Sequence, residues 1–440
     1  MPSDEVARDT IAAVATPPGR GGIGIVRISG PLVRDVAVRL VGRLPQPRRA
    51  EFARFGEAHG ELIDEGLVIY FPAPNSYTGE DVLEVHGHGG PVVMQALLAA
   101  CLDAGARLAE PGEFTRRAFL EGRLDLTQAE AVADLIDASS REAARSAVRS
   151  LTGEFSAAVE RLRRQLVELR ALTEAQLDFP EEELDRIHRD DLARRLDAVS
   201  VALHEVLARS RQGSLLREGV HVVLVGRPNV GKSSLLNRLA GEERAIVTAV
   251  PGTTRDALRE SIHIDGVALV LVDTAGLRAS GDEIERLGMA RTHKELANAD
   301  LVLAVHEAGS SVPLPEGVAA GVPRLDVYNK LDLSPGFQPP SAALAVSAKT
   351  GDGLPALRAA LLRMAGWSSS GESVFLARER HLRALNAARE HLAHAAQAQG
   401  RWELFAEDLR LAHDALAAIT GAYTPDDLLG EIFSRFCIGK

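Results

Sequence analysis

The residues Gly226-Arg227-Pro228-Asn229-Val230-Gly231-Lys232-Ser233 fit the pattern GxxxxGK[ST], and their types in that order suit the holding of a phosphate chain. Glycines let backbone N–H groups close on phosphate oxygens, a lysine reaches the β and γ oxygens, and a serine hydroxyl ligates magnesium. Lys232 and Ser233 stand at the last two positions, followed by Ser234. Asp273-Thr274-Ala275-Gly276 offers a carboxylate that acts on magnesium through water and, at Gly276, a backbone N–H for the γ-phosphate. Between the two, Thr253-Thr254 sits in a Gly/Pro-containing loop, where Thr254 can close over magnesium and the γ-phosphate as a nucleotide-sensing switch. Asn329-Lys330-Leu331-Asp332 reads NKxD, whose carboxylate accepts from guanine N1–H and the exocyclic amine, a pair of donors adenine lacks. Ser347-Ala348-Lys349 would back the base. Each motif is weak alone, but the four in this order and spacing specify GTP rather than ATP.

Hydrolysis needs a group that orients water. Leu277 follows DTAG where many regulatory GTPases carry glutamine, so that route is missing. The following loop, 278–285, supplies Asp282, Glu283 and Glu285, any of which can orient water directly or through a second water; a charged helix start accounts for at least two of them. The Asn229 amide oxygen can serve a monovalent cation placed where an arginine finger would act.

These residues need strands and helices to position them. The apolar run 221–225 leads into the phosphate loop and the helix 234–239, the run 268–272 leads into Asp273, and 344–346 leads into Ser347. The stretch from Val220 to about Met364 thus alternates strands and helices as one nucleotide-binding α/β domain. Upstream, 10–121 has short apolar runs at 24–28, 67–71 and 81–85, turn clusters, and a helical stretch at 91–104, which reads as a compact α+β domain. From 124 to 211 the texture is Ala-, Leu-, Glu- and Arg-rich, and Phe155, Val159, Leu162, Leu166 and Leu169 recur at helical spacing. The α/β stretch follows Gln212-Gly213-Ser214, and a second helical stretch runs from 373 to the end. Neither helical stretch buries its stripe alone, so the two are expected to pack together, with the α/β domain inserted between them.

Composition narrows the classes. The 440 residues carry a formal charge of −11, which excludes a general polyanion binder; DNA is not an expected partner. The arginine-rich stretch 141–170 is either a solvated helix face or a local contact for nucleic acid. Only Lys232, Lys294, Lys330, Lys349 and Lys440 are lysines, and four of them fall in motifs, where a compact ammonium rather than a planar fork is needed. Cys101 and Cys437 form neither a disulfide framework nor a zinc pattern. No apolar run approaches the roughly 18 residues of a membrane span, and a cytoplasmic, membrane-free protein is expected. The turn His86-Gly87-His88-Gly89-Gly90 is read as shaping backbone, and no transition metal is expected.

Over nearly its whole length the chain resembles the MnmE (TrmE) family of tRNA-modification GTPases. The resemblance rests on ATPPGRGGIGIVRISG at 15–30, PNSYTGEDVLEVHGHGG at 74–90, PGEFTRRAFLEGRLDLTQAEAVADLIDASS at 111–140, GRPNVGKSSLLN at 226–237, PGTTRD at 251–256, DTAGLR at 273–278 and the terminal FCIGK. It implies a multidomain α/β protein: an N-terminal α+β folate-binding-like domain at 1–121, a helical domain at 122–216 and 371–440, and an inserted Ras-like P-loop GTPase domain with a parallel-type sheet at 217–370. It further implies a homodimer built through the N-terminal domain and a heterotetramer with the flavoprotein MnmG, which alone carries FAD. The reaction implied is addition of an aminomethyl or carboxymethylaminomethyl group to carbon five of a tRNA wobble uridine. Its one-carbon unit comes from a 5,10-methylene or 5-formyl tetrahydrofolate.

Carried onto these residues, the resemblance implies a GTP site extending over Thr248, Ala249, Val250, Pro251, Gly252, Thr253 and Thr254. Potassium would be held by the Asn229 side chain and backbone oxygens around Thr248, Val250 and Thr253, and magnesium by Ser233 and Thr254. Among the three acids the resemblance selects Glu285 to orient the attacking water, beside Lys232 and Gly276 at the phosphates. The folate site would use Arg27, Glu84, Arg123 and Lys440, and Cys437 is either a reactive thiol of the modification chemistry or a plain cysteine. Arg123 stands where the family often has lysine, and Pro251 where alanine is usual; the ligands expected there are carbonyls, so the site should survive. The GTPase stretch by itself also suits a GTP-driven assembly factor, for example in ribosome maturation; the N-terminal motifs and the terminal CxGK speak against it.

Overall fold

The computed structural model describes residues 9–56, 60–178, 186–241, 259–273, 296, 299–310, 322–367, 374–398, 401–422, 426–434 and 436–439. The multidomain α/β chain divides into two compact units, Met1–Ala133 with Ala417–Lys440, and Asp134–Leu416.

In the first unit a sheet runs in the order β3 (Glu51–Gly56), β4 (Leu62–Phe71), β5 (Val82–Gly87), β2 (Gly24–Ser29), β1 (Ile11–Val14), β6 (Arg107–Leu108). All neighbours are antiparallel except β1 and β6. Alternation along the strands sorts the two faces. Val26 and Ile28 of β2 and Leu83 and Val85 of β5 form one core with α1 (Val33–Val41) and α2 (Pro91–Asp103). Arg27, Glu84 and His86 therefore point to the opposite face, beside the small cluster of Ile11, Ala13, Ala109, Tyr77 and Phe114 of α3 (Glu113–Leu120). Leu126 and Ala129, at the start of α4 (Leu126–Asp137), pack with Leu429, Ile432 and Phe433 of α12 (Asp426–Ser434), which returns the end of the chain to this unit.

The second unit holds α5 (Arg141–Leu151), α6 (Glu154–Asp178), α7 (Arg186–Glu218), α10 (Glu379–Gln397) and most of α11 (Trp402–Thr420). Phe155, Val159, Leu162, Leu166 and Leu169 are all buried, as the spacing predicts. Each such side chain contributes roughly 1.5–3 kcal/mol when fully buried. Phe155 meets the rings of Phe375 at 5.2 Å and His381 of α10 at 5.3 Å, so the two helical stretches pack together across the insertion. The helix α7 does not stop near Arg211, where the helical texture ends; it continues through Gln212-Gly213-Ser214 to Glu218. Close approach explains the glycine: a Cβ on Gly213 would stand 1.7 Å from the Phe375 carbonyl oxygen, so the bare helix surface lets the returning chain lie against it. In the arginine-rich stretch, Arg163 and Arg170 pair with Glu160 and Glu174, whereas Arg141, Arg145, Arg161 and Arg164 are exposed.

The second sheet of this unit runs β12 (Leu344–Ala345), β11 (Arg324–Asn329), β10 (Leu301–Glu307), β7 (Val220–Val225), β9 (Val267–Asp273), β8 (Arg259–Ile264). Every pair is parallel except β8–β9. Val222 and Leu224 of β7 pack on Leu235, Leu236 and Leu239 of α8 (Lys232–Gly241) and on Leu357 and Leu361 of α9 (Leu354–Met364). Val223 and Val225 face Val272, Leu296 and Val302 on the other side. Burial on both faces is why this strand reads as an apolar run from Val222 to Val225. The central β7 has β9 on one side and β10 on the other, so it lies where the strand order reverses; in open parallel sheets the crevice at the carboxyl end of such a strand is the ligand site.

Candidate functional site: a nucleotide cleft and a charged sheet face

At that carboxyl edge the topology gathers the motifs. The strand β7 ends at Val225 and opens directly into the loop 226–231, β9 ends at Asp273, β11 ends at Asn329, and β12 leads to Ser347. The loop closes on the first turn of α8, whose N-terminal N–H groups and dipole favour an anion. Asn229 holds a left-handed backbone at φ 63°, a conformation asparagine tolerates better than most residues, and Gly231 stands at φ 91°. The Lys232 Nζ is turned back over the loop, donating to the carbonyls of Gly226 at 2.8 Å and Arg227 at 2.9 Å. These are neutral acceptors, which a triphosphate, a stronger acceptor for an ammonium, can replace.

One side chain ties the phosphate loop to the base motif. Asn329, 2% exposed, donates from Nδ2 to the carbonyl of Val230 at 3.0 Å and to that of Gly231 at 3.4 Å, and its Oδ1 accepts from the Ala348 N–H at 3.0 Å. The buried Ser347 donates from Oγ to Asp332 Oδ1 at 2.7 Å while accepting from the Thr350 N–H at 3.1 Å. Asp332 sits in a short turn, Leu331–Leu333, entered through the left-handed Lys330 at φ 65°; the Lys330 Nζ lies 3.1 Å from Glu307. The structure thus brings together Val230, Gly231, Asn329, Asp332, Ser347 and Ala348. Thr248, Ala249, Val250, Pro251, Gly252, Thr253, Thr254, Thr274, Ala275, Gly276 and Glu285 lie outside the described residues. The bracing role of Asn329 escapes sequence reading, because the contact spans 99 positions and the motif is read only for what it offers the base.

In the first unit, register places Arg27 directly opposite Glu84 on adjacent strands. The Arg27 guanidinium donates to Glu84 Oε1 from Nε at 3.0 Å and from Nη2 at 2.9 Å, and from Nη1 to the Gly439 carbonyl at 3.5 Å. Its carbon lies 5.4 Å from the ring centre of Tyr77 and 5.8 Å from that of Phe114. The ring of His86, 3.3 Å from Glu84 Oε2, does most to hold the Glu84 carboxyl below its ordinary range; the Arg27 charge adds to that, and burial opposes it. The pair keeps about a fifth of its side-chain surface open, 23% for Arg27 and 17% for Glu84, so a planar, polar ligand can reach it. Arg123 is exposed and lies against Gly79; Cys437 is exposed, and its carbonyl accepts from the Gly112 N–H at 3.5 Å; Lys440 is outside the described residues. Sequence reading did not find Tyr77 and Phe114 as neighbours of the pair. It also did not find the network in which Arg117 joins Asp9, Glu80 and Glu113 next to Arg107.

Two family models match the chain, that of the MnmE helical domain over residues 126–437 and that of the GTP-binding protein TrmE N-terminus over residues 10–123. The chain is 59% identical over 444 residues to the tRNA modification GTPase MnmE of Azoarcus sp. (strain BH72), covering 98% of each. It is 56% identical over 438 residues to that of Thiobacillus denitrificans (strain ATCC 25259 / T1), again covering 98% of each. With that of Dechloromonas aromatica (strain RCB) the identity is 55% over 446 residues, covering 98% of this chain and 99% of that one.

Proposed function

The chain belongs to the MnmE family of tRNA modification GTPases, and we propose that it is a potassium-dependent GTPase whose turnover drives modification of carbon five of the wobble uridine in certain tRNAs. It acts in the cytoplasm as a homodimer and together with the flavoprotein MnmG, adding an aminomethyl or carboxymethylaminomethyl group built from a tetrahydrofolate one-carbon unit. The observation that carries the reading is the near end-to-end identity with MnmE relatives, joined to a guanine motif braced onto a phosphate loop through Asn329. In this reading 1–121 binds folate and dimerises, 122–216 and 371–440 form the helical domain, and 217–370 is the GTPase domain.

The chain's own residues divide the work of hydrolysis. Backbone N–H groups of the loop 226–233 and the Gly276 N–H hold the phosphates, and Lys232 exchanges the loop carbonyls for β and γ oxygens. Glu285 orients a water in line with the γ-phosphorus, through a bridging water. A bond forms from that water oxygen to phosphorus as the bond to the β–γ bridging oxygen breaks, and GDP and phosphate leave. Ser233 and Thr254, with Asp273 through water, would hold magnesium; the Asn229 amide oxygen and backbone oxygens around Thr248, Val250 and Thr253 would hold potassium. When bound, the two ions neutralise charge on the phosphates, as an arginine finger does elsewhere.

Turnover is therefore expected to be strongly faster in potassium chloride than in sodium chloride at equal ionic strength. Asn229→Gly, which keeps the left-handed backbone and removes only the amide, should lose that stimulation, by about 10²–10³-fold if the ion serves as preorganised charge. Glu285→Ala should lower turnover by roughly 10²–10⁴-fold while leaving GTP affinity in place. Equal rates in the two salts would remove potassium from the mechanism.

In the first unit, the Arg27–Glu84 pair is the proposed docking point for a tetrahydrofolate, its charges suiting the pterin and glutamate ends, with Arg123 and Lys440 as further residues of the site and Cys437 as a candidate thiol of the modification chemistry. In this reading the Arg27 guanidinium, which the Glu84 carboxylate holds in place, offers the ligand a charge-assisted hydrogen bond worth about 1.5–3 kcal/mol, so with Arg27→Ala tetrahydrofolate affinity measured by calorimetry should fall roughly 10–150-fold. An unchanged dissociation constant would remove this pair from the folate site.

A further inference from the structure

The helices α10 and α11 place three metal-capable side chains at one point. His391 and His394 are three positions apart on α10 and so share a face, and α11 brings Asp408 against them. The Nδ1 of His391 lies 3.2 Å from Asp408 Oδ1 and the Nδ1 of His394 lies 3.9 Å from the same oxygen. All three donor atoms fall within 4.8 Å of one another, and the two rings stand edge to face at 6.2 Å.

A hydrogen bond accounts for His391 and Asp408 but leaves His394 unexplained, since 3.9 Å is beyond hydrogen-bond range. One ion accounts for all three. Donor atoms each about 2.0–2.2 Å from a zinc-like centre stand about 3.4 Å apart, which small side-chain rotations reach from the observed spacing. The charge setting agrees. Basic residues in this chain are nearly all arginine, yet the ion-pair partners of Asp408 among the described residues are these two imidazoles. The neighbouring Arg410 is occupied by Glu407 and Asp414.

We propose that His391, His394 and Asp408 form a binding site for a divalent transition ion of the zinc, cobalt, nickel and copper group. Two imidazoles select against magnesium and calcium, which prefer all-oxygen shells. Three protein ligands leave a position for water, and His394, with 64% of its side chain exposed, opens the site to solvent, so the ion is exchangeable. The ion clips α10 to α11. The expectation of no transition metal was drawn from the turn at 86–90; two histidines three apart on a helix are unremarkable until a second helix adds the carboxylate.

The test uses the full-length, untagged chain stripped with a chelator. Cobalt is titrated while visible absorption is followed, zinc affinity is measured against a chromophoric chelator, and thermal unfolding is recorded with and without zinc. One equivalent per chain, a tetrahedral-type cobalt spectrum and a raised Tm are expected, with no such shift from magnesium. His394→Ala, which alters an exposed ring and leaves the fold intact, should weaken zinc by about tenfold or more, as should Asp408→Asn. His413→Ala on the same helix as Asp408 should leave the affinity as it was. Absence of saturable binding, or binding indifferent to His394→Ala, would overturn the proposal.

Discussion

Gly231→Ala should abolish measurable GTP binding while the chain stays folded. Two separate costs converge at this position. The backbone stands at φ 91°, where an L side chain is strained by about 1–3 kcal/mol. An added Cβ would also sit 2.3 Å from Asn329 Nδ2, and Asn329 is packed too tightly to step aside. Pushing it away breaks its hydrogen bonds to the Val230 and Gly231 carbonyls and loosens its hold on the Ala348 N–H. Each buried polar group left unpaired costs about 1–3 kcal/mol. A total of about 4 kcal/mol or more corresponds to roughly a thousandfold in dissociation constant. Titration with a fluorescent guanine nucleotide, beside a thermal melt to check folding, measures this; an affinity within tenfold of the parent chain would mean that the loop and the base motif are not coupled through Asn329.

This coupling marks the boundary of what the sequence discloses. The phosphate loop is legible because its chemistry is local: an apolar strand, glycines at fixed offsets, then Lys232 and Ser233 within one short run. The stripe from Phe155 to Leu169 is legible because helical period alone decides which face is buried. The Arg27–Glu84 pair becomes a site only when β2 and β5 fix its register, and the rings of Tyr77 and Phe114 come to it from other elements. Gly213 is opaque for the same reason: its use, letting the backbone at Phe375 lie against a continuous helix, depends on a partner more than 150 positions away. Residues whose role is to brace another residue leave no local pattern.

Asp332→Asn should turn a GTP-preferring site towards xanthosine triphosphate, and Ser347 is the reason the exchange has a definite direction. The Ser347 Oγ already accepts the Thr350 N–H, so its own proton is committed to residue 332. An asparagine there must present its carbonyl to that hydroxyl, which turns its NH₂ group towards the base. Guanine offers N1–H and an amino group at that edge, so donor meets donor; xanthine carries a carbonyl in place of the amine and accepts. A site built to pair with particular donors rejects the analogue lacking them by roughly 10⁴–10⁵-fold in the best cases, because its buried groups are left unpaired. A fall in kcat/KM for GTP of about 10²-fold or more, with a rise for xanthosine triphosphate, is the expected pair of results. Because Ser347 orients the amide, Ser347→Ala in the Asp332→Asn background should blur the new preference by freeing the amide to flip. A single variant that still prefers GTP would show that another residue reads the base.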